Sequence, residues 1–226
     1  MKGIRAVLFD AGGTLIHVDG QRLCRAADLS YAAPQFAHAE AAATARVRDW
    51  IERHPGSKDA ERLPYFLESL LRGLGIEDAS SLQRAARKVA QEHGRANLWS
   101  RPSQGAAETL TALQARGYRL GVVSNADGRV RQLLEEAGIA SLLEIIVDSA
   151  EVGVEKPDPR IFLTATERLW LPASACAYVG DIYEIDVVGA ESAGLTAVLI
   201  GDGPAPESVR RVTALPELLS LFRGFA

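Results

Sequence analysis

Five short, largely apolar runs punctuate an otherwise mixed chain, at 4–9, 119–123, 144–147, 177–180 and 196–200. They are rich in Val, Ile and Leu and lack strict apolar–polar alternation, the pattern of strands buried on both faces of a parallel sheet. Between the last four runs the periodicity becomes helical. In 127–137, Val130, Leu133, Leu134 and Ala137 recur at helical spacing, with Asp127 as the expected N-cap and Gly138 as the stop. Residues 103–116 end similarly at Gly117, and 158–169 place Ile161, Phe162, Ala165 and Leu169 on one side. Strands alternating with helices predict an α/β fold built on a Rossmann-like, doubly wound parallel sheet.

The interval between the first two runs breaks this rhythm. Residues 20–98 show no convincing strand and read as several helices: an Ala-rich stretch through Trp50, a second around 58–73 and a third around 79–95. Pro34, Pro55-Gly56, Gly73 and Gly75 supply the breaks. So long an insertion exceeds a crossover loop. It predicts an α-helical cap of residues 17–98 set into a core of 1–16 and 99–226.

Composition narrows the picture further. The chain has 226 residues and a formal net charge of −4, which gives no reason to expect nucleic acid or an anionic membrane as partner. Its two cysteines, Cys24 and Cys176, are far apart and suggest a reducing compartment rather than a disulfide framework. The apolar run that opens the chain is too short for a signal peptide or a membrane span. A cytoplasmic protein is the expectation.

Candidate chemistry gathers at the ends of the strands. Val7-Leu8-Phe9 leads into Asp10-Ala11-Gly12-Gly13-Thr14, whose glycines let the backbone turn sharply beside a ligand. The second run ends at Ser124-Asn125, and the fourth at Gly180-Asp181, with Asp186 five residues on. In a doubly wound sheet such ends converge on one edge. Asp10, Asp181 and Asp186 would repel one another unless a cation neutralised them, and hard oxygen ligands of this kind suit Mg²⁺. Ser124 can donate to a phosphoryl oxygen. Lys156, in Glu155-Lys156-Pro157, can hold an anion and offset the charge on Asp10.

Phe9-Asp10-Ala11-Gly12-Gly13-Thr14-Leu15, Ser124-Asn125, Lys156-Pro157 and Gly180-Asp181-Ile182-Tyr183-Glu184-Ile185-Asp186 stand in this order along nearly the whole chain. Together they resemble the four motifs of the haloacid dehalogenase-like hydrolase superfamily, and the helical insertion resembles that family's cap. The resemblance implies a phosphatase of two steps, with Asp10 as nucleophile and an aspartyl-phosphate intermediate. It implies Mg²⁺ held by Asp10, the Gly12 carbonyl and Asp181, with Asp186 supporting the metal waters or Lys156. Ser124, Asn125, Lys156, Gly13 and Thr14 would bind a small phosphorylated molecule. Residues 15–20, ending in Asp19-Gly20, would form a hairpin linking cap and core.

One position departs from that pattern. Family phosphatases usually carry an acid–base Asp two residues after the nucleophile, and here that residue is Gly12. A general acid–base is worth roughly 10²–10⁴-fold in rate, so slow turnover of alkyl phosphates is expected. His17 follows the motif closely and is a candidate replacement, with a fitting intrinsic pKa. Retention of Asp181 and Asp186 argues against a dehalogenase. A phosphonatase needs a cap lysine, and neither Lys58 nor Lys88 lies in a recognisable motif. The rival of another class is a binding protein that keeps the fold and metal site without useful catalysis.

Overall fold

The computed structural model describes Met1 and residues 3–224. The strands are β1 (Ala6–Phe9), β2 (Ile16–Val18), β3 (Trp99–Pro102), β4 (Arg119–Ser124), β5 (Ile145–Asp148), β6 (Cys176–Gly180), β7 (Thr196–Ile200) and β8 (Arg211–Val212). The helices are α1 (Gly20–Ala26), α2 (Ala33–Arg53), α3 (Asp59–Gly73), α4 (Ala79–Arg95), α5 (Ala106–Ala115), α6 (Val130–Glu136), α7 (Ser149–Val152), α8 (Pro159–Arg168), α9 (Val188–Ser192) and α10 (Leu218–Leu221). By contact the chain divides into two compact units, Met1–His17 with Ser100–Ala226, and Val18–Trp99.

The first unit is built on a six-stranded sheet of order β5-β4-β1-β6-β7-β8. Every pairing is parallel, with Phe9 in register with Val122 on one side and Val179 on the other. From β1 the chain moves out to β4 and β5, then returns to build β6, β7 and β8 on the opposite side. The strand order therefore reverses around β1, which is where an open α/β sheet leaves a crevice for a ligand. Helix-covered strands explain the apolar runs: Ala6 to Phe9 have no solvent exposure, and Leu8, Val123, Val147, Phe162, Tyr178 and Leu199 share one core.

The second unit is helical and buries its own core, with Leu23, Phe36, Leu67, Leu70, Leu71 and Val89 at its centre. Small residues let its helices approach closely. A Cβ added at Gly73 of α3 would stand 3.0 Å from the Ala39 Cβ of α2. That contact accounts for part of the alanine bias.

Two local expectations are corrected. Helix α6 starts at Val130, and Asp127 is not its N-cap; its carboxylate instead engages Arg129. The amides of Gly128 and Val130 donate to Asp148 Oδ2, at 2.9 and 3.4 Å, so a residue from the end of β5 does the capping. Asp19-Gly20 is not a hairpin turn. Asp19 caps α1, accepting from the Arg22 amide at 3.0 Å, and β2 pairs with the distant β3 in a separate two-stranded sheet.

Candidate active site

Strand β1 delivers Asp10 to the reversal point of the sheet, and its amide donates to the Val179 carbonyl of β6 at 2.8 Å. The next four residues fold back: the amides of Leu15 and Ile16 both donate to the Ala11 carbonyl at 2.9 Å. Gly13 takes φ +83° within this turn, a conformation that favours glycine. A Cβ there would lie 2.8 Å from the carboxylate of Asp181, so the missing side chain is what lets the loop lie against it. Thr14 is buried, and its carbonyl accepts from the Ser103 hydroxyl at 2.6 Å.

Lys156 is the centre of the cluster. Its ammonium donates to Asp10 Oδ1 at 2.6 Å, Asp186 Oδ1 at 2.7 Å and the Tyr178 hydroxyl at 2.9 Å. All four residues are buried. Burial alone would lower the Lys156 pKa; the carboxylates of Asp10 and Asp186 outweigh it and hold the ammonium above its usual range. Burial raises Asp10 to about 6, against the pull of Lys156 and with the help of Asp186.

Asp186 reaches this position through the turn Tyr183–Val187 that follows β6. Its Oδ2 accepts from the Ile182 amide at 2.9 Å. Gly180 makes the room, since a Cβ there would sit 2.3 Å from the Asp186 Cγ. Tyr183 packs against the apolar core of the unit.

Ser124 closes β4, buried and in register with Asp148 of β5. Asn125, expected as a substrate ligand, pairs with the main chain of Lys156. Its Oδ1 accepts from the Lys156 amide at 2.7 Å and its Nδ2 donates to the Lys156 carbonyl at 3.1 Å. The side chain thus pairs with the main chain of Lys156 as a neighbouring strand would, and fixes the point from which that lysine reaches Asp10.

Oxygen atoms of Asp10, Asp181 and Asp186 lie within 4.8 Å of one another. Three carboxylates beside one ammonium leave negative charge that a hard divalent cation would offset, and the donors are the oxygens Mg²⁺ takes. The residues fit the ion. Asp186 already gives Oδ1 to Lys156 and Oδ2 to Ile182.

His17 falls on β2. Burial, with Arg101 nearby, lowers its pKa to about 4. It is uncharged at pH 7, and the single N–H of a neutral imidazole is too weak an acid to protonate a leaving group.

Sequence reasoning missed Tyr178 and Asp148. Tyr178 sits inside the run Ala177-Tyr178-Val179, where an aromatic residue reads as packing. Asp148 directly follows the fourth residue of the 144–147 run, and that strand-end position was its available signal.

The chain belongs to the haloacid dehalogenase-like hydrolases, whose family model matches residues 4–194. The haloacid dehalogenase-like hydrolase domain-containing protein 3 of Mus musculus is 32% identical over 65% of this chain and 60% of its own length. The chain thus spans less than two thirds of that relative. A phosphoglycolate phosphatase of Rhodospirillum rubrum is 31% identical over 98% of this chain and 88% of its own length. Among solved structures, a haloacid dehalogenase-family phosphatase from Thermococcus onnurineus shares the fold, with a TM-score of 0.62 at 24% identity over 98% of this chain and 99% of that one. Among the described residues no helix is long and apolar enough to cross a membrane.

Proposed function

We propose that this hydrolase is a phosphatase of small phosphorylated metabolites, working through a phosphorylated Asp10. The observation that carries the reading is the buried Asp10–Lys156–Asp186 array at the sheet's reversal point, with Asp181 against the Gly13 turn. Similarity to a phosphoglycolate phosphatase over nearly the whole chain supports it.

In the first step a carboxylate oxygen of Asp10 attacks phosphorus, an O–P bond forms, and the ester P–O bond breaks with its electron pair leaving on the alcohol oxygen. Lys156 keeps Asp10 ionised and aimed, because its ammonium stabilises the carboxylate and cannot be a base at neutral pH. Ser124 donates to a phosphoryl oxygen, and the Gly13–Thr14 turn lines the phosphoryl site. In the second step water attacks phosphorus, the Asp10–phosphorus bond breaks, and inorganic phosphate leaves. Mg²⁺, held by Asp10, Asp181 and the Gly12 carbonyl, would supply electrostatic stabilisation of the charge on the transferring group.

Gly12 gives the leaving oxygen no proton donor. Aryl and acyl phosphates, whose leaving groups need little protonation, should therefore turn over faster than alkyl phosphates by about 10²–10⁴-fold. The test is turnover of para-nitrophenyl phosphate, acetyl phosphate and a panel of alkyl phosphometabolites, with Mg²⁺ and with chelator, beside Asp10→Asn. The reading predicts metal-dependent turnover that the substitution lowers at least a thousandfold, on the order of the loss when a nucleophile is removed. No turnover of any compound would favour the binding protein instead.

A further inference from the structure

The proposed reaction gives Tyr178 no task, yet its hydroxyl stands inside the cluster, 2.9 Å from the Lys156 ammonium and 3.3 Å from Asp186 Oδ1. We propose that Tyr178 is a positioning residue for Lys156, its hydroxyl accepting one N–H of the ammonium so that the other two are aimed at Asp10 and Asp186. The inference rests on reading Asp10 as the nucleophile.

An ammonium has three donors and no acceptor. Here each meets one oxygen, two of them carboxylate and one phenolic. With two partners alone, a buried N–H would be left unmade and the group would be free to turn about its Cε–Nζ bond. The hydroxyl is itself oriented to accept. Its proton has two acceptors, the Val123 carbonyl of β4 at 2.8 Å and, more distant, Asp186 Oδ1 at 3.3 Å. Its lone pairs are therefore left to Lys156.

The ring is held as firmly as the hydroxyl. Tyr178 is fully buried on β6, in register with Leu8 of β1, and meets Phe162 of α8 edge-to-face with centroids 4.9 Å apart. The hydroxyl links a side chain of β6 to the main chain of β4, the two strands that flank the nucleophile's own strand. Burial, then Asp186 and Asp10, push its pKa well above the ordinary value. It stays neutral, and is neither base nor nucleophile.

Tyr178→Phe keeps the ring and removes the acceptor alone. The test reads two quantities. Lysine-selective ¹⁵N labelling gives four signals at most from the four lysines of the chain, and Lys156 is assigned by its loss in Lys156→Met. In the wild type without substrate, the Lys156 ammonium should exchange its protons slowly with water; fast exchange there overturns the assignment whatever the variant does. In Tyr178→Phe that signal should shift or broaden. The variant's kcat for para-nitrophenyl phosphate, per folded molecule, should fall about tenfold with KM changed less than about twofold, the size of one lost hydrogen bond to a charged group. A purely structural role would lower the folded fraction without moving kcat per folded molecule. An unmoved ammonium signal, or an unchanged kcat per folded molecule, overturns the proposal. A wild type without phosphatase turnover overturns the functional reading instead, and the ammonium signal then decides the contact by itself.

Discussion

At the scale of single residues, the site is a set of charges that burial has made interdependent. Lys156 is tolerated inside the molecule because two carboxylates and a hydroxyl complete its hydrogen bonds. His17 is the counter-example, a titratable residue that burial silences. With its pKa lowered to about 4, from 6.5, its ring should stay uncharged across the neutral range. The unfolded chain would take up a proton as pH falls through 6.5 while the folded chain refuses it until about 4. The His17 contribution to folding stability therefore declines with falling pH over that window. Histidine ring NMR signals followed from pH 8 to 3.5 check this. The His17 signal, assigned by its loss in His17→Gln, should titrate near 4. Titration near 6.5 would contradict the assignment and return His17 to the list of proton donors.

At the scale of elements, the site depends on where strands and turns leave no room for side chains. Gly180, at the tip of β6, is filled from outside by Asp186, and Gly13 in the turn after β1 is filled by Asp181. Each glycine lets a carboxylate from the fourth motif occupy the place of its own Cβ. Gly180→Ala should push Asp186 off Lys156 and cost about 1–3 kcal/mol by overpacking. Urea denaturation measures the loss. Gly94→Ala in α4 is the matched control: nothing stands within 4 Å of its added Cβ, and alanine favours a helix, so stability should hold or rise by up to about 1 kcal/mol. Equal losses at both positions would contradict the account of Gly180.

The same scale shows what the chain's pattern discloses. Strands β1, β4, β5, β6 and β7 announce themselves because burial on both faces favours apolar residues without alternation. Strand β8 is two residues long and β3 ends in Pro102, so neither carries a periodicity to read. The start of α6 has no complete local signal, because Asp148 from the end of β5 accepts from the amides of Gly128 and Val130. Tyr178 stayed hidden because only the three-dimensional register of β6 with β1 and β4 turns an apolar-looking residue into a hydrogen-bond partner of Lys156.

At the scale of the whole molecule, the motifs were legible because each polar residue stands at the end of an apolar strand, and topology does the rest. Asp10 and Asp181 directly follow β1 and β6 and Ser124 closes β4, three neighbours in a sheet whose order reverses at the middle one. Their order along the chain, with Lys156 between the last two, falls within the residues that the family model matches. The central claim is that Asp10 takes the phosphoryl group, and the most direct measurement is to trap it there. The protein is mixed with Mg²⁺ and excess acetyl phosphate, quenched in acid within the first turnover, digested and analysed by mass spectrometry. The account predicts a phosphoryl adduct on the peptide bearing Asp10, localised to that residue and absent from Asp10→Asn and from chelator-treated protein. Turnover of acetyl phosphate with no adduct on Asp10, or an adduct on another residue that survives in Asp10→Asn, would contradict it.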